Sequence, residues 1–252
     1  MTAAYSDLAD RVVLVTGGGS GIGEAIVRAF ARQGAKVAFI DIAEGPSRAL
    51  AGELAAEGRT VMFEACDVTK IPALQHSIGR IAAELGPVEV LVNNAANDTR
   101  HATEEVTEAY WDDRIAVNLK HQFFAAQAVL PAMKAAGAGA IVNLGSISWL
   151  LGQGGMAAYT ACKSAVIGLT RSLARDYGAF GVRVNAVAPG WIMTQRQLDL
   201  WVTPEVEQEI YARQCLKRKI QPSEVAEFVV FLASDAASAC TNQHYVVDGG
   251  WT

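Results

Sequence analysis

Short, almost wholly apolar runs recur along this chain, each followed by a longer segment with helical spacing, and that alternation constrains the fold more than any single motif. Val12-Val13-Leu14-Val15 leads into Gly21 to Gln33, and Lys36 to Asp41 into an Ala/Leu/Glu stretch ending at Gly58. Arg59 to Cys66 precedes a helical stretch to Leu85, and Val88 to Val92, Ala140 to Leu144 and Val182 to Val187 continue the series. Runs apolar on both sides belong inside a parallel sheet covered on both faces. Tyr110 to Ala136 and Ala157 to Tyr177 are long enough to cross between parallel strands. The pattern predicts an α/β fold, a doubly wound parallel sheet flanked by helices. No linker, composition break or repeat interrupts it, so a single domain over 1–252 is expected. The least regular stretch, Gly190 to Ile220, is expected as a loop over the carboxyl ends of the strands, where a substrate lid would sit.

Composition narrows the function classes. With 51% hydrophobic and 19% charged residues the chain can bury a sizeable core, and a net charge of −5 without long charge runs disfavours a nucleic-acid partner. The four cysteines stand far apart with no CxxC pair, and the four histidines are dispersed, so neither a disulfide framework nor a metal site is expected. Met1 to Asp10 lacks the basic start and apolar core of a signal peptide, and no apolar run approaches the roughly 20 residues that span a bilayer. A cytoplasmic protein without a membrane partner is the expectation.

Thr16-Gly17-Gly18-Gly19-Ser20-Gly21-Ile22-Gly23 follows the first strand and opens the first helix. There, backbone N–H groups and the positive helix end can face a pyrophosphate. The spacing differs from GxGxxG, since Gly17, Gly21 and Gly23 sit at i, i+4 and i+6. A glycine-rich turn without a ligand is the other reading, and the strand-turn-helix context weighs against it. Asp41 ends the second strand, 18 residues beyond Gly23. A carboxylate there can accept from both ribose hydroxyls of adenosine and repel a 2′-phosphate. Neither Ser20 nor Ile42 supplies a cation for that phosphate, so NAD is favoured and NADP is the less favoured option. A turn or cap role for Asp41 stays open.

Tyr159 and Lys163 stand four residues apart on one predicted helix face. A free tyrosine, with pKa near ~10, is a poor base at neutral pH, and a neighbouring cation stabilises its phenolate. Ser146, thirteen residues upstream at the end of a strand, could orient a reacting oxygen or cap a turn.

In order along the chain, the TGxxxGIG loop at Thr16 to Gly23, Asp67, Asn93-Asn94-Ala95, Asn118, Ser146, Tyr159 with Lys163, and Pro189-Gly190 resemble the short-chain dehydrogenase/reductase family over essentially the whole length. The resemblance implies a Rossmann-type sheet and hydride transfer to a nicotinamide. It makes Tyr159 the general acid/base, with Lys163 binding the nicotinamide ribose and depressing the Tyr159 pKa. It has Ser146 hold the substrate oxygen and Asn118 support a water in a proton relay, although Asn118 could equally knit helix backbone. Gly17, Ser20, Gly21, Ile22, Gly23, Asp41 and Ile42 would line the cofactor together with Asn94, Ala95 and Ala96. Asp67 and Val68 would flank the adenine, and Ile192 and Thr194, after Pro189-Gly190, would reach the carboxamide. The family's usual NNAG reads Asn93-Asn94-Ala95-Ala96 here, so a methyl at Ala96 is expected to alter the fit. A homotetramer built on the two long helices and the C-terminal segment is also implied.

Substrate residues are expected in Asn97 to His101, Ser148-Trp149, Gln153, and Trp191 through Trp201. Indole faces beside amides and hydroxyls suit a sugar, whose C–H faces pack on rings while its hydroxyls need fixed partners. Asn97, Ser148, Trp149, Gln153 and Trp191, with Ser146 and Tyr159, form the expected substrate set, and packing roles for the tryptophans stay open. Stretches such as NDTRH, GSISW and QCLKRKI resemble the family's bacterial sugar 1-dehydrogenases, which implies oxidation of the anomeric hydroxyl of a pyranose to a lactone. A 3-oxoacyl-carrier-protein or other ketone reductase is the alternative, disfavoured by Asp41, and a non-catalytic nucleotide-sensing protein is a further one.

Overall fold

Residues 3–252 are described by the computed structural model. The strands are β1 (Val12–Thr16), β2 (Lys36–Asp41), β3 (Val61–Ala65), β4 (Val90–Asn93), β5 (Gly139–Leu144), β6 (Val182–Pro189) and β7 (His244–Val247). All pairings are parallel, in the order β3-β2-β1-β4-β5-β6-β7. Between them run α1 (Gly21–Arg32), α2 (Glu44–Ala56), α3 (Ile71–Leu85), α4 (Glu108–Ile115), α5 (His121–Ala136) and α6 (Ala157–Tyr177). Then come α7 (Gln195–Leu200), α8 (Pro204–Arg213) and α9 (Pro222–Ala233).

Side chains alternate across a strand, and here each set meets its own helix layer. Val13, Val15, Val37 and Phe39 join Ile26 and Phe30 of α1 and Val225 and Val229 of α9. Leu14, Ala38, Ile40 and Ile141 turn the other way, onto Leu74 of α3, Val129 of α5 and Leu173 of α6. Burial on both faces is what made the strands read as continuous apolar runs. Strand order reverses between β1 and β4, and a crevice opens at the carboxyl ends of such a pair.

Two segments differ from expectation. Tyr110 to Ala136 is not one α-helix: α4 and α5 are joined by a π-helical turn over Ala116–Lys120 that contains Asn118. The Asn118 side chain bonds one turn back, Nδ2 to the Arg114 carbonyl at 3.0 Å, and clamps a neighbouring loop, so tertiary contacts hold this wider turn. Gly190 to Ile220 is not a simple loop but carries α7 and α8. Their N-caps are Thr194 and Thr203, whose hydroxyls each accept a backbone N–H at 3.3 Å. Pro204 at the start of α8 adds a preset φ.

Candidate active site

The turn after β1 brings bare backbone to the mouth of the crevice. Gly17 has φ +67°, and a Cβ there would lie 2.7 Å from the Ala95 Cα; a Cβ on Gly23 would lie 1.8 Å from the Gly17 carbonyl oxygen. Only glycine fits those two places. Ser20, the N-cap of α1, makes no side-chain cap bond, so it does not occupy the first-turn N–H groups. That arrangement fits a diphosphate. Asp41 sits at the end of β2 with Oδ2 accepting from the Gly19 N–H and Oδ1 from the Ala43 N–H, both at 2.9 Å. It therefore shapes the turn and still has lone pairs free for ribose hydroxyls. Ile42 beside it is 71% exposed and lines the same cleft, as do Asp67 and Val68.

Thr16, wholly buried, ties β1 to the strand end opposite. Its hydroxyl accepts the N–H groups of Asn94 at 3.0 Å and Ala95 at 3.1 Å, while Asn94 Nδ2 donates to the carbonyls of Thr16 and Gly17. The Ala96 methyl faces the cleft without left-handed backbone, so alanine costs nothing in conformation there. Pro189, Gly190, Ile192 and Thr194 complete this wall. Gly190 abuts Asp248, where a Cβ would lie 2.5 Å from the aspartate Cβ.

Ser146, Tyr159 and Lys163 converge at the floor of a cleft of about 460 Å³. Ser146 follows β5, and its hydroxyl accepts the Ser148 N–H at 3.1 Å. Tyr159 and Lys163 stand one turn apart on α6, with Nζ 5.5 Å from the Tyr159 ring centre. Nζ donates to the Leu144 carbonyl at 2.8 Å, leaving donors unspent. Burial pushes the Lys163 pKa down to about 8. Burial also pushes the Tyr159 phenol well above its ordinary value, with the Asp98 carboxylate adding to the rise and the Ser146 hydrogen bond opposing it. Desolvation is the largest of these influences, as expected for a phenol taken out of water.

Asn118 does not reach the cleft with its side chain. Oδ1 accepts the Asn97 N–H at 2.8 Å and Nδ2 donates to the Asn97 carbonyl at 3.1 Å, so the amide pins the loop after β4. Next to the π turn, His121 is wholly buried without a well-formed hydrogen bond, and burial and the Lys163 charge lower its pKa to about 3.

At the other end of the cleft the expected substrate residues divide. Ser148, Gln153 and Trp191 line it. Asn97 does not: its Oδ1 accepts the Thr99 N–H and hydroxyl at 2.9 and 2.6 Å, a turn role. Trp149 also lies outside the lining, its ring 6.0 Å from that of His244. His101 satisfies its loop, Nδ1 lying 3.0 Å from the Tyr110 hydroxyl. Asp98, Arg100, Arg196 and Gln197, inside the stretches expected to hold substrate, line the cleft, and so does Trp251, which lies outside them. Asp98 clasps α7 across the opening, with Arg196 Nε donating to Oδ1 at 3.0 Å and Gln197 Nε2 to Oδ2 at 2.6 Å. No periodicity could have announced Trp251, one residue from the end of the sequence.

Over residues 17–252 the chain matches a family model described as Enoyl-(Acyl carrier protein) reductase. It belongs to the short-chain dehydrogenase/reductase family. It is 49% identical over 250 residues to D-xylose 1-dehydrogenase of Caulobacter vibrioides, covering 99% of both chains. To a candidate galactose dehydrogenase of Rhizobium meliloti (strain 1021) it is 48% identical, covering 99% of this chain and 98% of that one. Among solved structures, a candidate NAD(P)-dependent gluconate 5-dehydrogenase from Beutenbergia cavernae with bound NADP at low occupancy superposes with a TM-score of 0.92 and 38% identity, covering 98% of this chain and 99% of that one.

Proposed function

We propose that this enzyme oxidises the C1 hydroxyl of a pyranose aldose to the lactone, with NAD as the acceptor and Tyr159 as general base. The observation that carries the reading is the meeting of Ser146, Tyr159 and Lys163 beside a cleft end walled by Trp191, Trp251, Ser148 and Gln153. Relatives 49% and 48% identical, named for xylose and galactose oxidation, support the substrate class. The glycine turn and the first turn of α1 would hold the diphosphate, Asp41 the adenosine ribose, and Lys163 the nicotinamide ribose. Bound there, the nicotinamide supplies the acceptor for the hydride that leaves C1. Ser146 donates to and fixes the sugar O1, Tyr159 takes its proton, and Lys163, in its cationic form, offsets the phenolate that must form. As C1 loses hydride and O1 loses a proton, the C1–O1 bond becomes the lactone carbonyl. Asn118 acts at one remove by fixing the Asn97 loop. A homotetramer, resting on the family resemblance, remains part of the proposal, as does a cytoplasmic location.

The test is dinucleotide reduction with a panel of aldoses, polyols and secondary alcohols, and, in reverse, 3-oxoacyl esters. Selective oxidation of one or a few aldoses to lactone, with NAD used better than NADP and Asp41→Ala eroding that preference, is the expected result. Turnover of ketones or acyl esters alone would overturn the sugar reading and restore the acyl-reductase alternative. NADP working equally well in the parent enzyme would overturn the role given to Asp41.

A further inference from the structure

We propose that Arg100 determines which sugar is accepted, presenting two parallel N–H donors to a pair of adjacent hydroxyl oxygens; this rests on the reading of the cleft as an aldose site. Arg100 lines the same cleft as Ser146 and Tyr159. Its guanidinium carbon stands 4.3 Å from the ring centre of Trp201 and 5.9 Å from that of Trp191. Trp191 in turn stacks on Trp251, with centroids 6.2 Å apart and planes inclined by 27°. Two indoles of the Trp191 to Trp201 stretch thus lie against the guanidinium, and the stacking of Trp251 behind Trp191 makes that contact firm.

The edge of the fork is unspent. Among the described residues Arg100 makes no hydrogen bond and no salt bridge, whereas the charged pair beside it is complete: Asp98 already holds Arg196 at 3.0 Å. A planar fork packed against indole rings, with its donors free, is preorganised for two neighbouring acceptors and loses little freedom on binding them. Those acceptors are hydroxyls rather than a carboxylate. The neutral aldose of the proposed reaction offers hydroxyl oxygens and no carboxylate, and the one carboxylate beside Arg100, Asp98, is already paired with Arg196.

Kinetics on Arg100→Met and Arg100→Lys, with the preferred aldose and its monodeoxy analogues, test this. Arg100→Met keeps a straight apolar stem against the indoles without donors. It is expected to raise KM about 10- to 100-fold, the usual loss for a charge-assisted pair, with kcat within about threefold. That penalty should shrink on the two analogues lacking either adjacent hydroxyl, and Arg100→Lys, retaining charge but not the fork, should not restore KM. In the parent enzyme, two neighbouring deoxy positions should raise KM most, a readout that does not depend on the variants folding. An unchanged KM, an equal penalty on every analogue, or a parent enzyme that prefers a uronate would overturn the inference while leaving aldose oxidation standing. A parent enzyme that oxidises no aldose would overturn both.

Discussion

The Tyr159 phenol, proposed as the general base, is governed by a contest among a few neighbours. Burial raises the Tyr159 pKa most, Asp98 next, and the Ser146 hydrogen bond works against them. Oxidation needs the phenolate, so activity in that direction should climb with pH, while reduction uses the protonated phenol already present. Asp98→Asn removes a negative charge that disfavours the phenolate, so the rising limb of kcat/KM for oxidation should move to lower pH, by about half a unit to one unit. Asp98 also supports the Lys163 ammonium, behind burial and Cys162 among the influences there. A pH–rate profile checks it, and a limb displaced upward would contradict the assignment. The four-residue spacing of Tyr159 and Lys163 was legible in the sequence because one helix carries both. Asp98 and Arg100 fell inside the Asn97 to His101 stretch expected to meet substrate, but Trp251 did not, because it reaches the cleft from a distant segment and no local pattern encodes that meeting.

Elements were legible where periodicity was strong. β2 and α6 run from Lys36 to Asp41 and from Ala157 to Tyr177, as their patterns predict. The π turn at Ala116–Lys120 was hidden because its apolar spacing looks helical, and its cause, the Asn118 clamp on Asn97, lies 21 residues away. Helices α7 and α8 carried cap signals at Thr194 and Thr203 that were outweighed by the mixed composition around them. One element end depends on a single residue: Arg183, on β6, donates to the carbonyls of Leu232, Ala233 and Ser234 at 2.6, 3.1 and 3.0 Å, closing the C-terminus of α9. Arg183→Met should destabilise the fold by about 2–4 kcal/mol, since buried carbonyls would lose a charged partner. Urea unfolding checks this, and a change within experimental scatter would mean that water replaces the guanidinium without cost.

At the scale of the molecule, the order of the parallel sheet fixes where chemistry can occur. The reversal between β1 and β4 places the glycine turn and the Asn94 and Ala95 backbone side by side, while β5, α6 and the segment after β6 bring Ser146, Tyr159 and Trp191 to the adjoining end. The doubly wound architecture followed from the alternation of runs, but the clasp between Asp98 and α7 could not, because it depends on how far two loops reach across the opening. The most direct test supplies aldose deuterated at C1 with NAD and weighs the reduced dinucleotide by mass spectrometry, in the parent enzyme and in Tyr159→Phe. One deuterium in the dinucleotide, one lactone per turnover, and a rate reduced by about 10²–10⁴-fold or more in the variant are predicted. Deuterium retained on the sugar, or near-full turnover by Tyr159→Phe, would contradict the account.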